Sequence, residues 1–290
     1  MRALWLVVCI GGVGGVGCGA GPVRATPPPA DPDPAAARDP VQSADRVLLR
    51  REAGRVMQWL IEALPPDKQA RVAGITLDPD PLPGEINAYA SCDGAAPYIA
   101  VSDDLLLVEA QLAMARATDE RFATDTTHEL IRWFAERPEQ TGQLPPVAFW
   151  DPAQHVDREK VSRQRVMFDE QLAYVLGHEL AHHTLGHLAC TSTGFSDDAM
   201  RDVVDAAPIF SQVGEIAADI EGIHDVLAAG RRFGWTEEGA LVLFEFFTKW
   251  HAYTATDVVL AFERSHPFPI LRLPIVMTTA DVWRASGGLL

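Results

Sequence analysis

The sequence predicts an α+β domain, mainly helical, with a small β-sheet set at its edge. Two observations predict this class. Long stretches with apolar residues at helical spacing occupy most of the second half, near 169–190, 208–229 and 236–253. Three short strand-like runs cluster ahead of them, near 71–77, 85–90 and 97–102.

Taken in order, the chain opens with Arg2, the apolar run Ala3 to Ile10 and a glycine-rich stretch ending in Gly17-Cys18, which has the shape of an export signal over residues 1–17. Its glycines make it a poor membrane span, since a span needs about 20 mainly apolar residues. Cys18 after Val16-Gly17 is the expected lipidation site, with plain secretion or a retained anchor as alternatives. Residues 18–43 are then a tether rich in proline, alanine and aspartate, with Pro27-Pro28-Pro29 and Asp31-Pro32-Asp33-Pro34, a composition that cannot build a core. Extended at about 3.1 Å per residue, the stretch from Gly21 to Gln42 spans roughly 70 Å, with a leader that has no spacing role as the alternative.

The remaining segment, 44–290, suits one domain with a sizeable core. Ser43 is the expected cap of a helix running to about Leu64, with Val56, Trp59, Leu60 and Leu64 on one face and Pro65-Pro66 as its stop. The strands follow. Residues 109–168 read as a mostly helical insertion interrupted by Pro138 and Pro145-Pro146, with Asp151-Pro152 as a cap and first turn. The aromatics at Pro146-Val147-Ala148-Phe149-Trp150 predict a lid over a cleft, with a peripheral lobe as the alternative. The helix near 208–229 starts at Pro208 and ends before Gly230, and the last runs from Thr236 to Tyr253 with Leu241, Phe244 and Phe247 inward.

The helix over 169–190 carries His178-Glu179-Leu180-Ala181-His182. At 100° per residue the two histidines lie about 40° apart and one turn along, so both imidazoles reach one zinc ion. Glu179 lies about 100° round from His178, where it meets a water on the metal as a general base. Zinc needs a third protein ligand and one open position. A histidine six residues after His182 would be one source, but that residue is Leu188, and His187 falls one short, about 140° off the ligand face by helical geometry. Glu215, in Glu215-Ile216-Ala217-Ala218-Asp219, is the other source. Asp219, one turn beyond it, suits the carboxylate that takes the second N–H of a ligand histidine. The expected set is His178, His182 and Glu215 with one Zn2+ per chain.

With these residues in place the chain resembles the gluzincin zinc metallopeptidases that include the CAAX prenyl proteases, the HtpX-type peptidases and a periplasmic lipoprotein-like branch. The likeness rests on Ile86-Asn87-Ala88-Tyr89-Ala90 with Tyr98-Ile99-Ala100-Val101 and Leu105-Leu106, on Glu170 to Gly177 leading into the zinc motif, and on His187. It rests also on Glu215 to Gly222, and on Ser265-His266-Pro267 with Arg272, and spans about residues 72 to 275. The resemblance implies a zincin-type domain with a small edge sheet beside the metal helix. It implies that His266 helps catalysis by donating to the oxyanion, and that Arg272 and Asn87 lie at the substrate and oxyanion side. The strand around Ile99 is then the open edge on which an extended substrate adds. It also implies an endopeptidase of the bacterial cell envelope acting on unfolded or partner-presented chains, in envelope protein quality control. A zinc-containing, non-catalytic adaptor that binds extended chains is the alternative. The expected place is a membrane-anchored lipoprotein facing the periplasm, on the outer rather than the inner membrane.

The formal charge of −16 argues against a nucleic-acid partner and offers no attraction to an anionic lipid surface. Of the four cysteines, leader removal leaves Cys18, Cys92 and Cys190. With Cys18 lipidated, Cys92 and Cys190 form either a disulfide bracing the cleft or two separate thiols.

Overall fold

The computed structural model describes residues 39–137, 142–188, 190, 208–253 and 269–288. The folded unit runs from Arg38 to Leu290, so it begins before the expected residue 44. The physical reason is local: Asp39 accepts from the Gln42 amide at 2.7 Å and starts α1 (Pro40–Ser43), whose Val41 is buried. Ser43 therefore ends one helix rather than capping the next. Ala44 turns the chain through the left-handed region at φ 48°, and Asp45 caps α2 (Arg46–Ala63) through the Val47 and Leu48 amides. Leu49, Ala53, Val56, Met57 and Leu60 give α2 its buried face.

Pro65-Pro66 stop α2 as expected, but Pro66 at once begins α3 (Pro66–Arg71), because proline at the first helical position has no amide to leave unpaired. The first strand is displaced accordingly, to β1 (Thr76–Asp80). β2 (Ala88–Asp93) and β3 (Ala96–Ser102) form a hairpin turning at Gly94, where φ is 58°. The sheet order is β1-β3-β2, with β1 parallel and β2 antiparallel to β3. Ile99 pairs with Leu77 on one side and Ala90 on the other. The strand around Ile99 is thus the centre of the sheet, and the expectation that it forms the open edge is corrected.

β3 runs straight into α4 (Asp103–Phe122), whose N-terminus is capped by the Ser102 hydroxyl accepting from the Leu105 amide at 3.2 Å. The expected insertion boundary at residue 109 falls inside this helix. α4 is buried nearly all round, so it belongs to the core rather than to an appended segment. α5 (Thr126–Glu136) and α6 (Pro152–His155) follow, and Asp157 then caps α7 (Arg158–Thr184). The long helix starts eleven residues before the expected 169 and ends at Thr184, short of the expected 190. α2, α4, α8 (Pro208–Phe233) and α9 (Glu238–Tyr253) pack around it, so its faces are buried with polar residues such as Gln164, Glu170 and Gln171 among the apolar ones, and its periodicity is weak. The last helix, α10 (Pro269–Ala285), packs on α8 and α9.

Phe149 and Trp150 sit at the start of α7. The Trp150 ring lies 5.9 Å from that of His155 and 5.8 Å from Lys160 Nζ. Lys160 precedes His178 by eighteen residues, about 27 Å of helix. Among the described residues no helix is long and apolar enough to cross a membrane.

Candidate metal centre

The last two turns of α7 present His178, Glu179 and His182, and the facing stretch of α8 presents Glu215 and Asp219. The two helices approach closely because glycines meet between them. A Cβ on Gly222 would lie 2.8 Å from the His178 amide nitrogen, and one on Gly177 would lie 3.1 Å from the Gly222 carbonyl oxygen. Only hydrogen at both positions lets α8 bring its carboxylates to the histidines.

Three side chains then converge. His178 Nε2 lies 3.2 Å from His182 Nε2 and 3.2 Å from Glu215 Oε2, and His182 Nε2 lies 3.2 Å from Glu215 Oε1. Ligands about 2.05 Å from a tetrahedral zinc stand about 3.3 Å from one another. The side chains are therefore spaced as three corners of a zinc tetrahedron, with two neutral imidazoles and a carboxylate as a suitable donor set.

Asp219 lies behind His178, with Oδ1 3.0 Å from Nδ1 and no solvent exposure. The Tyr174 hydroxyl donates to Asp219 at 2.7 Å, and Arg272 donates through Nε at 2.7 Å and Nη2 at 2.6 Å. Burial alone would raise the Asp219 pKa, but the Arg272 charge and its hydrogen bonds outweigh this and hold the carboxyl well below the usual carboxylate range. Burial and Arg272 push the His178 pKa down, whereas Glu215 and Asp219 push it up and prevail, raising it to about 9 without a cation. The ionised Asp219 keeps a proton on Nδ1, which leaves Nε2 aimed at Glu215 and His182.

Arg272 reaches this centre and lines the same cleft as His178 and Glu179. It is buried, and its two shortest hydrogen bonds go to Asp219, so its guanidinium orients the carboxylate that orients His178. Asn87 is placed on the cleft wall with His178 and Glu179, beside Leu105, Phe244 and Phe247. The Asn87 Oδ1 is buried with no hydrogen-bond partner among the described residues, while its backbone is tied to Ser102 at both N and O. Glu179 is 3% exposed on the same wall. Ile99 lies in the sheet interior at 0% exposure, away from a substrate position. His266 and Cys18 lie outside the described residues.

Two residues escaped the sequence reading. His187 does not continue the helix. α7 ends at Thr184, Gly186 turns at φ 75°, and His187 Nδ1 comes back to 3.0 Å from His182 Nδ1. The 140° offset applied to a helix that is not there, and Gly186 was the available signal. His183, buried one position after the second histidine of the motif, sets its Nε2 3.1 Å from the Tyr98 carbonyl oxygen. Cys92 and Cys190 are joined as a disulfide, with Cα atoms 5.4 Å apart, which ties β2 to the chain just after α7.

No curated protein and no solved structure matches the chain. A family model, that of peptidase family M48, matches residues 55–228, more than half of the chain and the run from the middle of α2 through Asp219. The chain belongs to peptidase family M48 and is a metallopeptidase of this zinc-dependent family.

Proposed function

We propose that the protein is a zinc-dependent endopeptidase of the bacterial cell envelope, in the periplasmic lipoprotein-like branch, which hydrolyses peptide bonds in unfolded or partner-presented chains. The observation that carries this reading is the 3.2 Å triangle of His178, His182 and Glu215 with Glu179 on the adjoining cleft wall. These three residues would hold the ion, and Asp219 fixes the tautomer of His178. When bound, zinc supplies Lewis acidity, polarising the scissile carbonyl and acidifying a water. Glu179 accepts the proton of the attacking water and passes it to the leaving nitrogen. The Asn87 carboxamide, unpartnered at Oδ1, binds the substrate backbone, and His266 donates to the developing oxyanion.

The narrow cleft supports an extended polypeptide as substrate. His178 and Glu179 are each 3% exposed, so a folded surface cannot reach them whereas a single extended strand can. The envelope setting rests on the leader, on Gly17-Cys18 and on the tether after it. Protein quality control follows from a preference for unfolded chains held near a membrane.

The test is cleavage of an unfolded model protein by the mature chain, with Glu179→Gln as the matched control. Wild-type cleavage and a loss of about 10²–10⁴-fold in the variant are expected. Equal cleavage by both proteins, or none by either with zinc bound, would overturn the reading.

A further inference from the structure

A second group of metal-ligating atoms includes His183, the residue after His182. The Cys92 and Cys190 sulfurs and one ring nitrogen of His183 all lie within 4.8 Å of one another, and Cys190 Sγ is 4.0 Å from His183 Nδ1. The orientation of His183 is the informative part. Its Nε2 faces the Tyr98 carbonyl oxygen at 3.1 Å, and a carbonyl only accepts, so Nε2 carries the proton. The lone pair of the neutral ring therefore sits on Nδ1 and points at the cysteines. A backbone carbonyl on the other ring nitrogen is the arrangement that holds a metal-ligating histidine. A disulfide has no use for it.

We propose that, once the disulfide is reduced, Cys92, Cys190 and His183 form a second metal site that takes a thiophilic divalent cation such as zinc. Reduction separates the two sulfurs to van der Waals contact. On zinc, two thiolates stand about 3.8 Å apart, and a thiolate and an imidazole nitrogen about 3.6 Å. The 4.0 Å between Cys190 Sγ and His183 Nδ1 needs only a few tenths of an ångström of closure. The step is balanced by a dithiol reductant. It delivers two electrons and two protons, the Cys92–Cys190 bond breaks, and the reductant closes its own disulfide. The two thiols lose their protons to solvent as the cation binds. A fourth, open position faces solvent, since Cys92 and Cys190 are both partly exposed. The consequence is structural. The tie between β2 and the end of α7, next to ligand His182, persists in either redox state, as a covalent bond when oxidised and through the cation when reduced.

Cobalt(II) separates the two sites, because thiolate ligands give an intense near-ultraviolet charge-transfer band that a His-His-Glu set cannot give. The experiment titrates cobalt into the mature full chain before and after reduction with a phosphine, which is not itself a thiol. One cobalt per chain without the band is expected for the oxidised protein, and two with the band for the reduced protein. Cys92→Ser should lack the band. His183→Ala should bind the second cobalt more weakly by more than the roughly 10- to 100-fold that loss of an outer partner causes. A reduced chain that still takes one cobalt, a band that survives Cys92→Ser, unchanged affinity in His183→Ala, or loss of the fold by circular dichroism on reduction would each overturn the proposal. Failure of the His178, His182, Glu215 site shows separately, as an oxidised chain that takes no cobalt while the reduced chain still develops the charge-transfer band.

Discussion

Gly222→Ala tests how the metal centre is built, without replacing a ligand. The new Cβ would sit 2.8 Å from the His178 amide nitrogen and 3.0 Å from both Gly177 C and His178 Cα, about 0.6 Å inside ordinary van der Waals contact in the worst case. These neighbours are backbone atoms of a helix packed on every side, so they cannot rotate away as a side-chain tip would. The strain is relieved by moving α8 away from α7, which carries Glu215 off the 3.2 Å triangle. Metal–ligand distances tolerate about 0.2 Å, so a shift of about 0.6 Å removes one good ligand position. Overpacking of this kind costs about 1–3 kcal/mol of stability. Zinc affinity should fall by at least the roughly 10- to 100-fold typical of a lost supporting contact. Competition with a chromogenic chelator measures the affinity, and urea unfolding of the metal-free protein measures the stability. A Gly222→Ala protein with wild-type zinc affinity would refute the claim that the glycine contact sets the position of Glu215.

Three other outcomes are expected. Arg272→Ala should weaken zinc binding by about 10- to 100-fold and destabilise the fold by about 3–5 kcal/mol, because it leaves Asp219 buried without its cation; lost turnover with both quantities unchanged would return Arg272 to a substrate-facing role. Burial raises the Asp225 carboxyl from 3.8 to about 7, against the opposing charge of Lys68. A carboxyl with a raised folded pKa stabilises below the unfolded value and loses that contribution as pH rises through the folded one, so wild-type stability should fall between about pH 4 and 7 relative to Asp225→Asn. Parallel urea-stability profiles for the two proteins would refute it. Mass spectrometry of the mature protein should find a diacylglyceryl group on Cys18 as the first residue, and an unmodified chain starting elsewhere would remove the membrane anchor.

Much of the architecture was legible in sequence because its signals are local. Proline pairs at 65–66 and 145–146, the apolar face of α2 and the hairpin glycine at 94 act within a few residues of themselves. The periodic segments therefore appear where the helices are. Boundaries failed where two local signals competed. Asp45 outranked Ser43 as a cap, and Pro66 started a helical turn where a strand was expected. α4 read as part of an insertion because a helix buried on all faces has no polar stripe to mark its start.

For the centre itself, the chain order alone determined which residues can bind: an imidazole pair one turn apart, a carboxylate beside it, and a second carboxylate pair one turn apart on another helix. Helical geometry makes that pairing a property of spacing, and it survives any packing of the helices. What the tertiary structure decided is which groups face which. The two-glycine contact closes α8 on α7, Arg272 bonds Asp219 behind the cleft wall, and β3 takes the middle of the sheet and removes Ile99 from an edge. His183 and His187 acquire partners 85 residues away and across a glycine turn, respectively. None of these is encoded at short range, since each depends on how surfaces distant in the chain pack against one another.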